Sequence, residues 1–299
     1  MKRINGFLDL DSYFSSSDKE DIIESDYKSG HYWLIIDGEK YYFKPEEKSY
    51  RELISYHVAK RLNIYAVFYD LARFNGQTGV ISKNYCKTDC KYIKGYDILE
   101  EYFENHFGDL IVMGFDPTIS VGHVRMNKLN NLEIITCALE DRYKDKINID
   151  EVMYQFILLF IFCILTIQKD KTPQNWDIEE GIESVSLIPV MDNALSFGDP
   201  ATTKVSISSN IATSGTSIEE CLKQFLSDSS VDIVELFVEK YNTLTMDEFL
   251  NIISEVEFNI NASIPGAEKN EIIENFKNNR ENIKRVLEEL NISSKMGRS

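Results

Sequence analysis

The chain has 299 residues, 43% of them hydrophobic, with 49 acidic against 32 basic side chains and a net charge of −17. That is enough apolar material for one large domain or two lobes, and the acidic balance excludes general affinity for nucleic acid or for an anionic membrane. Five cysteines, an odd number scattered along the chain, fit a reducing, cytoplasmic compartment better than a disulfide framework.

The N-terminus, Met1-Lys2-Arg3-Ile4-Asn5-Gly6, lacks the apolar run of a secretory leader. Residues 7–30 are polar and broken, an edge segment or loop. Tyr32–Ile36 and Tyr41–Phe43 then read as two strands joined at Asp37-Gly38, a strong short hairpin signal, and the second strand ends at Lys44-Pro45. From Tyr50 the spacing of Leu53, Ile54, His57, Val58, Arg61 and Leu62 predicts a helix, with Ser49 as its N-cap and Glu52 in its first turn. A second hairpin follows: Ala66–Phe74 and Gly79–Lys83, joined at Asn75-Gly76. Tyr96–Phe107 and Leu132–Tyr143 predict helices, and Asp109–Arg125, holding Gly114, Pro117 and Gly122, a loop.

The longest apolar stretch is Val152–Ile167, in a helix that opens at Asn148 or Asp150. Its uncharged run is at the short limit for spanning a bilayer and lacks a basic or aromatic-belt flank, so a buried central helix is expected. Trp176-Asp177-Ile178 starts a short strand with Asp177 facing solvent. After a turn at Gly181, a second strand, Val185–Met191, delivers Asp192-Asn193. Residues 198–217, rich in Ser and Thr, predict an exposed flexible segment. Four amphipathic helices follow: Ser217–Leu226, Val231–Asn242, Asp247–Asn259 and Glu268–Leu290, with the apolar positions over Val231–Phe258 forming core. This order predicts an α+β fold: an N-terminal lobe of antiparallel sheet and helix over 1–147, and a mainly helical C-terminal lobe over 148–299.

Asp170, Asn175 and Asp192 have the layout of a phosphotransferase. Pro173 forbids continuation of the long helix, so Asp170 and Asn175 share a tight loop. A hairpin formed by the two short strands would set Asn175 and Asp192 side by side. Asp170 would take or orient the proton of an attacking hydroxyl, and the oxygens of Asn175 and Asp192 suit Mg2+ on nucleotide phosphates. Lys44, at a strand end, can hold the α- and β-phosphates of ATP, with Glu52 eight residues on as its carboxylate partner. Ser29-Gly30-His31 can form a turn that presents N–H groups to phosphate. Cys86 and Cys90, separated by three residues, have no second Cys or His pair nearby to complete a zinc site. The four histidines show no metal spacing, and no nucleophile motif accompanies them.

Tyr42-Phe-Lys-Pro45, Glu52-Leu-Ile-Ser-Tyr-His-Val-Ala-Lys-Arg-Leu-Asn-Ile64, Gly79-Val-Ile-Ser-Lys83, Asp170-x4-Asn175-Trp176 and Leu187-Ile-Pro-Val-Met-Asp-Asn193 together resemble the HipA-like serine/threonine kinases, over roughly residues 29–200. The resemblance is to compact, single-domain members. It implies a two-lobed fold like that of protein kinases and phosphoinositide kinases, ATP and Mg2+ as cofactors, and a protein substrate. It also implies a partner antitoxin, because many members are toxins of toxin–antitoxin pairs. Lys44 would bind the ATP phosphates, Asp170 would be the catalytic base, and Asn175 and Asp192 the Mg2+ ligands. Ser29 would lie in the phosphate-binding loop, where members can be autophosphorylated. The family reads Asp-Arg-His-x-x-Asn where this chain has Lys171 and Thr172. That departure, with the Gly-rich loop reduced to Ser29-Gly30, leaves room for a weak kinase or a nucleotide-binding pseudokinase used as an interaction module, and a small-molecule kinase is a third reading.

Overall fold

Seven strands from residues 3–83 make one sheet in the computed structural model, which describes residues 1–292 except 16–18, 27, 120, 145–148 and 183. They are β1 (Arg3–Ile4) and β2 (Phe7–Asp9), then after α1 (Leu10–Phe14) β3 (Ile22–Glu24), β4 (Tyr32–Ile36) and β5 (Glu39–Pro45), and after α2 (Ser49–Arg61) β6 (Tyr69–Phe74) and β7 (Gln77–Lys83). The order across the sheet is β1-β2-β6-β7-β5-β4-β3. Every neighbouring pair is antiparallel except β2 with β6. Both hairpin turns use the expected residues: Asp37 and Gly38 have φ of 51° and 78°, Asn75 and Gly76 of 51° and 71°. These left-handed conformations match the twist of the strands they join. Residues 7–30 supply β2, α1 and β3 rather than only an edge or loop.

Three other expectations change here. Ser49 is the first residue of α2, not its N-cap; the cap position is Lys48, without a side-chain hydrogen bond, and the Ser49 hydroxyl turns back to the Glu46 carbonyl. Ala66–Phe68 is not strand: β6 begins at Tyr69, and Ala66 instead makes an isolated parallel bridge to Val190. The Asp109–Arg125 loop is shorter than expected, because helix enters it from both ends.

The chain continues through β8 (Lys91–Lys94), α3 (Gly95–Val112), α4 (Gly122–Leu129), α5 (Leu132–Tyr143), α6 (Ile149–Thr166), β9 (Asp177–Glu180), β10 (Val185–Leu187), α7 (Ile218–Asp228), α8 (Val231–Thr243), α9 (Met246–Ile260) and α10 (Gly266–Glu289). α6 is long and apolar enough to cross a membrane, and here Val152, Phe156 and Leu159–Thr166 are buried, as expected of a central helix. Asn148, the alternative start, lies outside the described residues. The segment 198–217 is held rather than exposed. Thr203, Ile207, Ser208, Thr213 and Ser214 are buried, and bridges join Asn131 to Ser208 and Lys204 to Ser217. Serine and threonine hydroxyls there satisfy main-chain groups, as when Ser217 and Glu220 form the reciprocal cap that starts α7. Thr245 caps α9 by accepting from the Glu248 N–H. Phe237, Val238 and Tyr241 of α8 and Phe249, Ile252, Ile253, Val256 and Ile260 of α9 are core, but Val231, Leu250 and Phe258 are exposed.

Two compact units result. One comprises 1–86, 189–196 and 243–271, the other 87–188, 197–242 and 272–299. The partition therefore differs from a single cut at residue 147. In the first unit, Leu10 and Phe14 of α1 pack with Leu34, Ile36, Phe43, Phe74 and Ile81 on one face of the sheet. Because side chains alternate along a strand, Lys44, next to Phe43, projects from the opposite face, the side on which α2 lies. α2 in turn packs against α9. In the second unit, β9 is the central strand of a sheet ordered β10-β9-β8.

Candidate functional site

β5 carries Lys44 out of the sheet toward Glu52 in the first turn of α2. Lys44 Nζ donates to Glu52 Oε1 at 3.0 Å and also to Asp192 Oδ1, and Glu46 Oε2 stands 3.4 Å from the same ammonium. Burial alone would lower the pKa of Lys44, but the Glu52 and Asp192 carboxylates outweigh it and hold the ammonium well above its ordinary value. Glu52 is raised, first by burial and also by the charge of Asp192, against the pull of Lys44 and of a backbone N–H. Exposure separates the roles of the two acids: the Glu52 side chain is 0% exposed and the Asp192 side chain 44%. Glu52 is thus a buried strut for the ammonium. Asp192 presents a carboxylate edge that a hard cation can reach from solvent.

Asp192 arrives by a route the sequence did not suggest. The β9–β10 ladder pairs Leu187 with Ile178 and extends only to the Ile188 N–H on the Asp177 carbonyl. Pro189 has no N–H to continue it. The chain then joins the first unit: Val190 N–H donates to the Tyr65 carbonyl and the Val67 N–H to the Val190 carbonyl, both at 2.9 Å. Asp192 has φ of 57°, a conformation uncommon for a residue with a side chain though most accessible to Asn and Asp. Its N–H donates to the Tyr69 phenol oxygen at 3.1 Å, and the Asn193 N–H donates to Glu52 Oε2 at 2.6 Å. Glu52 therefore binds the ammonium with one oxygen and the backbone after Asp192 with the other. Arg51, next to it on α2, donates to the Ser196 carbonyl at 2.7 Å, so α2 holds this segment at two points.

The Ser29–Gly30 turn joins β3 to β4, with Gly30 at φ of 78°. The Ser29 hydroxyl and the Gly30 N–H both donate to Glu24 Oε1, at 3.3 and 3.1 Å. A carboxylate therefore occupies the donors that the sequence reading assigned to phosphate. His31 is buried and its Nδ1 lies 2.8 Å from the Tyr42 hydroxyl. Burial, then Lys28 and Lys44, lower its pKa.

Asp170 and Asn175 belong to the second unit, in the loop between α6 and β9. Ile167, at φ of 53°, ends the helix. The Asn175 amide donates to the Asp170 carbonyl at 2.5 Å, and its N–H to the Thr172 carbonyl at 2.9 Å. The loop is pinned between them: the Lys171 N–H donates to Ser206 Oγ, and the Asn130 amide to the Lys171 carbonyl. Trp176, fully buried, donates its indole N–H to Asn130 Oδ1 at 2.9 Å. So the expected closeness of Asp170 and Asn175 is found, with the Asn175 carboxamide oxygen the atom a cation would take. Asp177 is a correction. It is buried rather than solvent-facing, because β9 is a central strand, and burial raises its pKa.

Lys44, Glu52 and Asp192 are brought together, and their donor chemistry, one ammonium and one accessible carboxylate, fits a phosphate-bound Mg2+. Among the described residues no group of three or more His, Cys, Asp or Glu is placed to hold a metal unaided, and Mg2+ on a nucleotide needs only one or two protein oxygens beside phosphate and water. Sequence reasoning missed Glu46 and Tyr69. Glu46 follows Lys44-Pro45 closely enough to have been considered, whereas a tyrosine in an alternating strand reads as ordinary core.

No family model matches the chain, and no curated protein does. Among solved structures it is similar to the Helicobacter pylori proinflammatory kinase CtkA, at 12% identity over 94% of this chain and 98% of that one, with a TM-score of 0.64. Looser likenesses are a chain of the Shewanella oneidensis MR-1 toxin–antitoxin complex of HipA, HipB and operator DNA (14% identity, 86% of this chain, 58% of that one, TM-score 0.48) and choline kinase LicA from Streptococcus pneumoniae (12%, 93% and 96%, TM-score 0.30). The fold is therefore α+β and that of a kinase, as the motif resemblance implied.

Proposed function

We propose that this chain is an ATP- and Mg2+-dependent phosphotransferase of HipA-like type that transfers the γ-phosphate to a Ser or Thr hydroxyl of a protein. The observation that carries the reading is the Lys44 ammonium held by buried Glu52 beside an accessible Asp192. In the first unit, Lys44 neutralises the ATP phosphates, Glu52 fixes the ammonium, and Asp192 offers an oxygen ligand to Mg2+. In the second unit, Asn175 offers an oxygen ligand to Mg2+, and Asp170 accepts the proton of the attacking hydroxyl. Mg2+, when bound, supplies charge neutralisation on the phosphates. The residues otherwise act by positioning and by fixed charge, which dominate phosphoryl transfer. Ser29 and Gly30 contact phosphate once Glu24 gives way, and Ser29 is the expected autophosphorylation site. The partners are a protein substrate and a cognate antitoxin in the cytoplasm. The net charge of −17 supports neither nucleic acid nor an anionic membrane as a target.

Incubation of the pure protein with labelled ATP tests this. Label on Ser or Thr is expected, with transfer falling at least about 100-fold in Asp170→Ala, the usual contribution of a general base, while ATP binding persists. Unchanged transfer in that variant would remove Asp170 from its role. Lys171 and Thr172, where HipA-like kinases have Arg and His, favour a second reading as a nucleotide-binding pseudokinase. Mg2+-dependent ATP binding with no transfer would select it.

A further inference from the structure

The approach of the 189–192 segment to residues 65–69 has a regular pattern. Tyr65, Val67 and Tyr69 are alternate residues. The first gives its carbonyl to the Val190 N–H and the second its N–H to the Val190 carbonyl. At Tyr69 the main chain has turned into β6, where it pairs with Ser82 of β7. There a side chain takes over, and the Tyr69 phenol oxygen accepts the Asp192 N–H. The acceptor is rigid. Tyr69 is buried in the sheet. The donor belongs to a residue at φ of 57°, a conformation that persists only where its surroundings fix it.

We propose that Tyr69 is a positioning residue for Asp192, its phenol oxygen fixing the left-handed backbone that presents the Asp192 carboxylate to a phosphate-bound cation. This rests on the reading of Asp192 as an Mg2+ ligand. Glu52, on the neighbouring N–H, serves other donors: its first oxygen accepts from Lys44 and its second from Asn193. Tyr69→Phe removes the acceptor and leaves the ring. It therefore affects the Mg2+-dependent part of ATP binding and not the part that Lys44 provides.

The test is calorimetric titration with ATP, with and without Mg2+, of wild type, Tyr69→Phe and Asp192→Asn. Wild type binds ATP more tightly with Mg2+, and Asp192→Asn abolishes that gain. Tyr69→Phe reduces the gain roughly 3- to 10-fold, the ordinary net worth of one hydrogen bond, with metal-free affinity unchanged. If Asp192→Asn loses the gain and Tyr69→Phe keeps it in full, the positioning role is overturned and the Mg2+ ligand stands. Equal weakening with and without Mg2+ also overturns the role, since it reports a merely structural tyrosine. If Asp192→Asn keeps the gain, or wild type shows none, the ligand reading fails and the role with it. Amide hydrogen exchange on wild type adds a measurement that needs no variant to fold. The Asp192 amide is protected without nucleotide, and rapid exchange there overturns the proposal.

Discussion

Glu52 and Asp192 both bond Lys44, yet their loss should have opposite consequences, because burial decides what a charge is worth. Glu52→Ala removes a fully buried carboxylate and leaves a largely buried ammonium and the Asn193 N–H to find new partners. Breaking such a buried pair costs about 3–5 kcal/mol. Asp192→Asn, which keeps a side chain suited to the left-handed backbone, neutralises a half-exposed carboxylate, and its effect on stability should stay within about 1 kcal/mol while the Mg2+-dependent stabilisation by ATP disappears. Urea denaturation of both variants, followed by thermal melts with and without Mg·ATP, checks the contrast. A large stability loss in Asp192→Asn would show that its bond to Lys44 is structural. The Lys44–Glu52 pair was legible in the sequence because strand, Lys-Pro and helix follow one another within nine residues. The part of Tyr69 was not legible, since its partner lies 123 positions away.

Elements position these side chains through close backbone approach, and Gly79 is where that approach is tightest. It lies on β7 opposite Pro45. A Cβ added there would overlap the Lys44 carbonyl oxygen and stand 2.8 Å from Pro45 Cα. Gly79→Ala therefore pushes β5 and its lysine away from β7. The expected cost is about 1–3 kcal/mol, as for overpacking, with weaker ATP binding. Gly108, inside α3, is the control. Nothing lies near its missing Cβ, so Gly108→Ala should be neutral or stabilise by about 0.4–1 kcal/mol through the unfolded chain. Equal melting temperatures for the two variants would refute the argument. At this scale the turn signals held, whereas the cap expected of Ser49 fell to Lys48. Asp37-Gly38 and Asn75-Gly76 each form the hairpin turn expected of them. The Val185–Met191 strand failed as a unit because Pro189 ends its ladder and Val190 finds a different partner in Ala66.

For the whole molecule, the composition of the first unit has a direct consequence. It takes 189–196 and 243–271 from far along the chain, and α9 buries Phe249, Ile252, Ile253, Val256 and Ile260. A fragment of residues 1–147 lacks both segments and exposes the surface of α2 that α9 covers. It should therefore show no cooperative urea transition, whereas the full chain does. A cooperative transition in the fragment, followed by circular dichroism, would mean that the sheet and α2 suffice for folding.

The sequence by itself determined the hairpins, the helical periodicities, the central apolar helix, the Lys44–Glu52 spacing and the loop shared by Asp170 and Asn175. Each rests on turn chemistry or side-chain periodicity within a dozen or so residues, where the local preferences of the chain act directly. Only the tertiary structure decided that Asp177 is buried, that 198–217 is anchored, and that Asp192 reaches Lys44 through the bridge of Val190 to Ala66 and the Tyr69 phenol. Those outcomes depend on which strand becomes central and which distant segment satisfies a given N–H or carbonyl. The whole packed chain settles that competition, because a buried polar group must find its partner wherever the fold provides one.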